Sequence, residues 1–133
     1  MRLLVAYAVT AVVFLGLDAL WLSQIALGMY RREIGALLLD KPNLVIAGIF
    51  YLLFVIGIVE LAVLPSLNGG GWTTALLNGA VLGLVAYGTY DITNLSTLRN
   101  WSLTVTIADL MWGTVLTAVS ATVGYFVVSW FKL

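Results

Sequence analysis

Three aspartates and two tryptophans stand out against an apolar chain. Asp18 and Trp21 fall in LDALWL (17–22), Asp109 and Trp112 fall in ADLMWG (108–113), and Asp91 opens the polar stretch DITNLSTLRN (91–100). A carboxyl group in apolar surroundings can carry a proton, hold a cation, or offer oxygen ligands to a hard metal such as Mg²⁺. Each charged aspartate near a bilayer centre costs about 2.5–3.5 kcal/mol. A polar contact between membrane helices returns only about 0.6 kcal/mol on average. Structural glue is therefore a weak reason to keep these acids. They stay protonated, face a wet cavity, or bind something.

The setting is a membrane. The chain has 133 residues, of which 62% are hydrophobic and 9% charged. A soluble domain is about a quarter charged, so this surface suits lipid rather than water. Six basic and six acidic residues cancel, which removes the basic face that a nucleic-acid partner requires. There is no cysteine and no histidine. Thiolate nucleophiles, Ser-His triads, haem held by histidine and Cys/His zinc sites are excluded with them. No phosphate-binding loop is present either, since Gly69–Gly71 lead into no lysine.

Four stretches are long and apolar enough to span a bilayer, at about 3–27, 43–64, 72–94 and 102–130. The expected fold is an all-α integral membrane protein, with four transmembrane helices in one antiparallel bundle. PSLNGGG (65–71) cannot stay helical and separates the second span from the third. Residues 30–40 read equally well as a short interfacial helix or a solvated loop. Trp72, Trp101 and Trp130 sit near span ends, as in an interfacial belt. The first span is too long for a cleaved signal peptide and is interrupted by Asp18. Arg31, Arg32, Lys41 and Arg99 fall in two connections; Arg2 and Lys132 lie on the other side. The positive-inside rule then places 28–42 and 95–101 in the cytoplasm.

Helical spacing gathers the acids. By rise per residue, Asp18 lies about 14 Å from the end of its span and Asp109 about 12 Å, towards the same side as Asp91. Around Asp18 the same face carries Tyr7, Ala11, Phe14, Trp21 and Ile25. Around Asp91 it carries Tyr87 and Asn94, with Ala75, Gly79 and Gly83 upstream. Around Asp109 it carries Gly113, Thr117 and Ala121. Stripes of small residues let helices approach closely, so these two seams pack on each other or on a partner, each ending in an acid. Glu60, near the opposite surface, is a snorkelling acid. Asn78 is helix–helix glue. Trp21 and Trp112 are packing anchors, or else they stack on a ligand or hold a cation. DALW and DLMW also echo one another across antiparallel spans.

The stretch YDITNLSTLRNW (90–101) admits two readings. It is either a capped helix end whose polar groups satisfy backbone, or the mouth of a polar pocket. In the second reading Arg99 offers a countercharge to Asp91 or Asp109. Ser102 is the expected N-cap of the last helix.

The same stretch carries a family resemblance. LDALWL (17–22), FYLLFVIGI (50–58), VLPSL (63–67), AYGTYDITNLSTLRNW (86–101) and ADLMWGTV (108–115) together resemble the bacterial membrane proteins grouped as domain of unknown function 2177. The pattern Y-D-x-T-N-x-x-T-L-x-x-W is its most specific part. Ser96, Ser102 and Glu60 depart from it. The resemblance implies a small four-span protein of the bacterial inner membrane, and no particular activity. Asp18, Asp91, Thr93, Asn94, Thr97 and Asp109 coincide with its polar positions.

Three functional classes fit. The first is a binder or carrier of a small polar ligand or cation, with Asp18, Trp21, Tyr87, Asp91, Asn94, Arg99, Asp109 and Trp112 as candidate site residues. Four short helices enclose little alone, so translocation calls for a homo-oligomer, most simply a homodimer. The second is a lipid-modifying enzyme using Mg²⁺ on Asp91, Asn94 and Asp109. The third is a non-catalytic accessory or sensory subunit. The residues assign no cofactor.

Overall fold

A computed structural model describes residues 1–133. It is helical nearly throughout, without strands, and has three stretches long and apolar enough to cross a membrane. The first, Arg2–Leu37, contains α1 (Arg2–Trp21), a π-helical turn (Leu22–Ala26), α2 (Leu27–Ile34) and a short 3₁₀ turn. Of the two alternatives for 30–40 the helical one holds as far as Leu37, and the helix runs on from the first span, so the connection expected over 28–42 is shorter. The cause is packing. Met29 and Ile34 are buried, and a segment with an apolar face to cover gains more as helix than as solvated loop. The π turn falls directly after Trp21, in a position where such turns re-aim a helix face.

The second stretch, Leu44–Thr97, is not straight. It holds α3 (Leu44–Ile58), two π-helical turns, and α4 (Gly71–Thr97). Between them Asn68 and Gly69 leave helical geometry. Gly69 at φ 117° and Gly71 at φ 76° take left-handed backbone that glycine adopts without Cβ strain. The consequence is a reversal of direction. The Asn78 side-chain amide donates to the Leu61 carbonyl at 3.0 Å; in a straight helix those residues would be about 25 Å apart. Asn78 thus ties the two arms together, as glue would.

α4 runs to Thr97, one turn past the expected end. Ser96 and Thr97 hydroxyls donate to the carbonyls of Ile92 and Thr93, each at 2.7 Å, which satisfies these hydroxyls within the helix; the Leu98 N–H closes the end on the Asn94 carbonyl at 2.8 Å. α5 (Leu103–Trp130) starts at Ser102, whose Oγ accepts from the Val105 N–H at 3.1 Å. Ser102→Ala removes that cap. The expected result is a loss of about 1 kcal/mol, read as a lower unfolding midpoint in a detergent titration.

α5 is the spine. Its most extensive partner is α4, and α1 lies against it as well. Ala75, Gly79 and Gly83 on α4 and Gly113, Thr117 and Ala121 on α5 are all buried. A Cβ added at Gly79 would come within 2.9 Å of the Thr117 carbonyl oxygen and the Ala118 Cα. The two small-residue seams therefore meet within one chain. On α1 the buried line is Ala6, Thr10, Phe14 and Asp18. This corrects the expected face: Ile25 is exposed, because burial follows the four-residue row rather than the three-residue one.

Candidate functional site

α3 lies against α1, but it meets α4 almost only through the turns at 59–70. From that junction the two helices diverge. The wedge between them, floored by α1 and α5 and reached by α2, holds a cavity of about 590 Å³. Its walls are Asp18, Trp21 and Leu22 from the first stretch, Tyr30 from α2, Phe50, Tyr51 and Phe54 from α3, Ala86, Tyr87, Thr89 and Tyr90 from α4, and Asp109 and Trp112 from α5.

Two carboxyl groups face this space, each anchored by a neutral donor. The Trp112 indole N–H donates to Asp18 Oδ1 at 3.1 Å, and Tyr51 on α3 is a further neighbour of the same group. The Tyr30 hydroxyl donates to Asp109 Oδ1. A hydrogen bond to a charged group is worth about 1.5–3 kcal/mol. Such bonds offset the cost of holding an acid here, and they fix where it points. A carboxylate accepts up to about four hydrogen bonds, so each acid keeps free acceptor capacity. The indoles of Trp21 and Trp112 stack at 4.8 Å with 8° between planes. The echo between DALW and DLMW is thus a contact: antiparallel packing of α1 on α5 sets each motif opposite the other.

Asp91 sits behind the wall. It is fully buried, and neither carboxyl oxygen has a donor. The carboxyl of Asp109 is a close neighbour, across the α4–α5 seam. Tyr30, Tyr87 and Tyr90 are its other titratable neighbours. Two neighbouring acids repel one another when both are charged, and sharing one proton between them removes that repulsion.

Five of the eight candidate residues line one cavity: Asp18, Trp21, Tyr87, Asp109 and Trp112. Asp91 supports Asp109 from behind, and Asn94 lies one turn further on α4, outside the lining. Arg99 is exposed and pairs with neither Asp91 nor Asp109. No group of three or more acidic side chains stands close enough to hold a metal ion. Sequence reasoning missed Tyr30, Tyr51, Phe50 and Phe54. The cluster FYLLF (50–54) was a usable signal, because its aromatics recur at a helical interval. Tyr30, beside two arginines, gave no such signal.

An all-helical chain with membrane-length apolar helices and acids turned inward is a membrane protein. The family model described as "Predicted membrane protein (DUF2177)" matches residues 3–126, and the chain belongs to that family. No curated protein and no solved structure matches the chain.

Proposed function

We propose that this chain is a four-span antiparallel bundle of the bacterial inner membrane, and that its cavity binds a small cationic solute. α1 with α2, α3, α4 and α5 supply the crossings. The end bearing Arg31, Arg32, Lys41 and Arg99 faces the cytoplasm, by the excess of basic residues there. Binding needs one chain; translocation would call for a second copy to complete a path.

One observation carries the reading. Asp18 and Asp109, from two helices, open onto a single cavity that no lysine or arginine lines, beside a pair of stacked indoles. Net negative potential, spare acceptors and aromatic rings together favour a cation, the rings attracting it through their π faces. The volume is that of an ordinary small-molecule site.

Tetramethylammonium, added to the protein in nanodiscs, tests this. The expected result is saturable binding by calorimetry, together with a change in the far-ultraviolet circular dichroism couplet of the Trp21–Trp112 stack. Trp21→Phe removes that couplet and identifies it. An uncharged isostere, neopentyl alcohol, that binds equally well would sink the cationic assignment.

A further inference from the structure

The wedge that forms the cavity also opens sideways, and the surface around its mouth says what lies outside. Phe50 and Tyr90 line the cavity, one from each diverging helix, yet are 58% and 57% exposed. They form the two lips of a gap between α3 and α4. On α4 Thr93 and Asn94 follow Tyr90 on its own face, and the exposed Val85 and Ile92 lie on the opposite flank of the helix. The α3 lip is set in apolar surface: Leu44, Val45, Ile46 and Ile49 are exposed right to the start of the helix. Such residues stand in hydrocarbon rather than water. The acids, on α1 and α5, are only 5% and 6% exposed. From buried to exposed the site therefore runs from carboxyl groups, beside stacked indoles, to Phe50 and Tyr90, and then to lipid.

We infer that the ligand is an amphiphile that enters from the bilayer through the α3–α4 gap, seats a cationic head against Asp18 and Asp109, and leaves its acyl chain in the gap between Phe50 and Tyr90. This rests on the cation-binding reading above and adds the chain to it. The physical ground is continuity of environment. A head bound through a water-facing mouth would have to drag its chain out of hydrocarbon. Through this gap the chain stays among apolar side chains and lipid tails while the head exchanges interfacial water for carboxylates. The polar–apolar gradient of the walls matches such a molecule along its length, and it does not match a small ion equally solvated on all sides.

Three probes separate the outcomes in nanodiscs: tetramethylammonium (head alone), hexadecyltrimethylammonium (head and chain) and hexadecanol (chain alone). On a total-concentration basis the amphiphile is expected to bind at least about tenfold tighter than the head alone, since its chain stays in an apolar phase. Hexadecanol is expected to bind no better than background lipid. If the head alone binds and the amphiphile binds more weakly, the site opens to water and the lateral entrance is overturned, while the cationic reading stands. If none of the three binds, the cationic reading itself fails. Hexadecanol binding as tightly as the amphiphile overturns the role of the acids.

A second measurement needs no ligand. In a Trp72→Phe, Trp101→Phe, Trp130→Phe background, only Trp21 and Trp112 fluoresce. Phospholipids brominated on the acyl chain are expected to quench that emission, and hexadecyltrimethylammonium to relieve the quenching by occupying the gap. Emission indifferent to brominated chains means the gap is shut, and overturns the proposal whatever the binding data show.

Discussion

Gly83→Val prevents assembly of the helices. A Cβ at this position overlaps the carbonyl oxygen of Gly113 and comes within 2.9 Å of the Thr117 Cβ. The first of these atoms is backbone in the middle of α5, so no rotamer change relieves the clash. The two helices would have to separate along the seam formed by Ala75, Gly79, Gly83 and Asp91. Overpacking a core costs about 1–3 kcal/mol where side chains can shift; here the cost exceeds that range, because the obstacle is main chain. The expected outcome is loss of monodisperse protein on size-exclusion chromatography in mild detergent. Gly48→Ala is the control. Nothing lies within 4 Å of a Cβ there, and alanine gains about 0.8–1 kcal/mol of helix propensity over glycine. A Gly83→Val protein that unfolds at the parent's midpoint would show that α4 and α5 do not pack this closely.

That seam was legible before any coordinates, because its signal is local. Small residues four apart define a stripe on one helix, and two such stripes, each ending in an acid, are natural partners. The N-cap at Ser102 and the role of Asn78 were legible for the same reason: one residue type, one geometry. What could not be read was the continuation of the first helix past Leu27. Its sequence, GMYRREIGALLLD (28–40), mixes charge with apolar residues, so composition alone left helix and loop balanced. Tertiary burial of Met29 and Ile34 broke the tie. Tyr30 was lost with it, and so was the donor that orients Asp109.

The stretch at 90–101 divides along the same line. Its distal part, Ser96 and Thr97, is the last turn of α4, with both hydroxyls turned back onto their own helix. Its proximal part, Tyr90 and Asp91, belongs to the cavity lip and to the layer behind Asp109. Arg99 joins neither, because a left-handed Asn100 and the extended Leu98 carry the chain outward before α5 begins. Sequence gives residue types and helical phase. It does not give the splay of α3 from α4, which depends on how the Val59–Gly70 turns seat against α4 and α5. The cavity exists because of that splay.

Asp109→Asn and Asp91→Asn separate the group that meets the ligand from the group that supports it. Asp109 opens onto the cavity, takes the Tyr30 hydroxyl on one oxygen and backs onto Asp91. The amide keeps one acceptor, which Tyr30 claims, and turns a donor towards any incoming cation. Truncating one partner of a buried charge pair costs about 2–5 kcal/mol. Asp109→Asn is therefore expected to weaken tetramethylammonium binding at least about 30-fold, a loss of about 2 kcal/mol or more. Asp91 is different, because its oxygens lack any donor and it lines no part of the cavity. An asparagine there is nearly isosteric, carries its own N–H, and supplies the hydrogen bond that a shared proton supplies in the parent. Asp91→Asn is expected to leave the unfolding midpoint unchanged and to move binding by less than about threefold. Asp91→Leu lacks the donor and is expected to lower the midpoint by the equivalent of about 1–3 kcal/mol, the cost of stranding a buried acceptor. The order of effects is the test. If Asp91→Asn weakens binding as much as Asp109→Asn, the ligand reaches Asp91 directly and the acid layer behind the wall is part of the site.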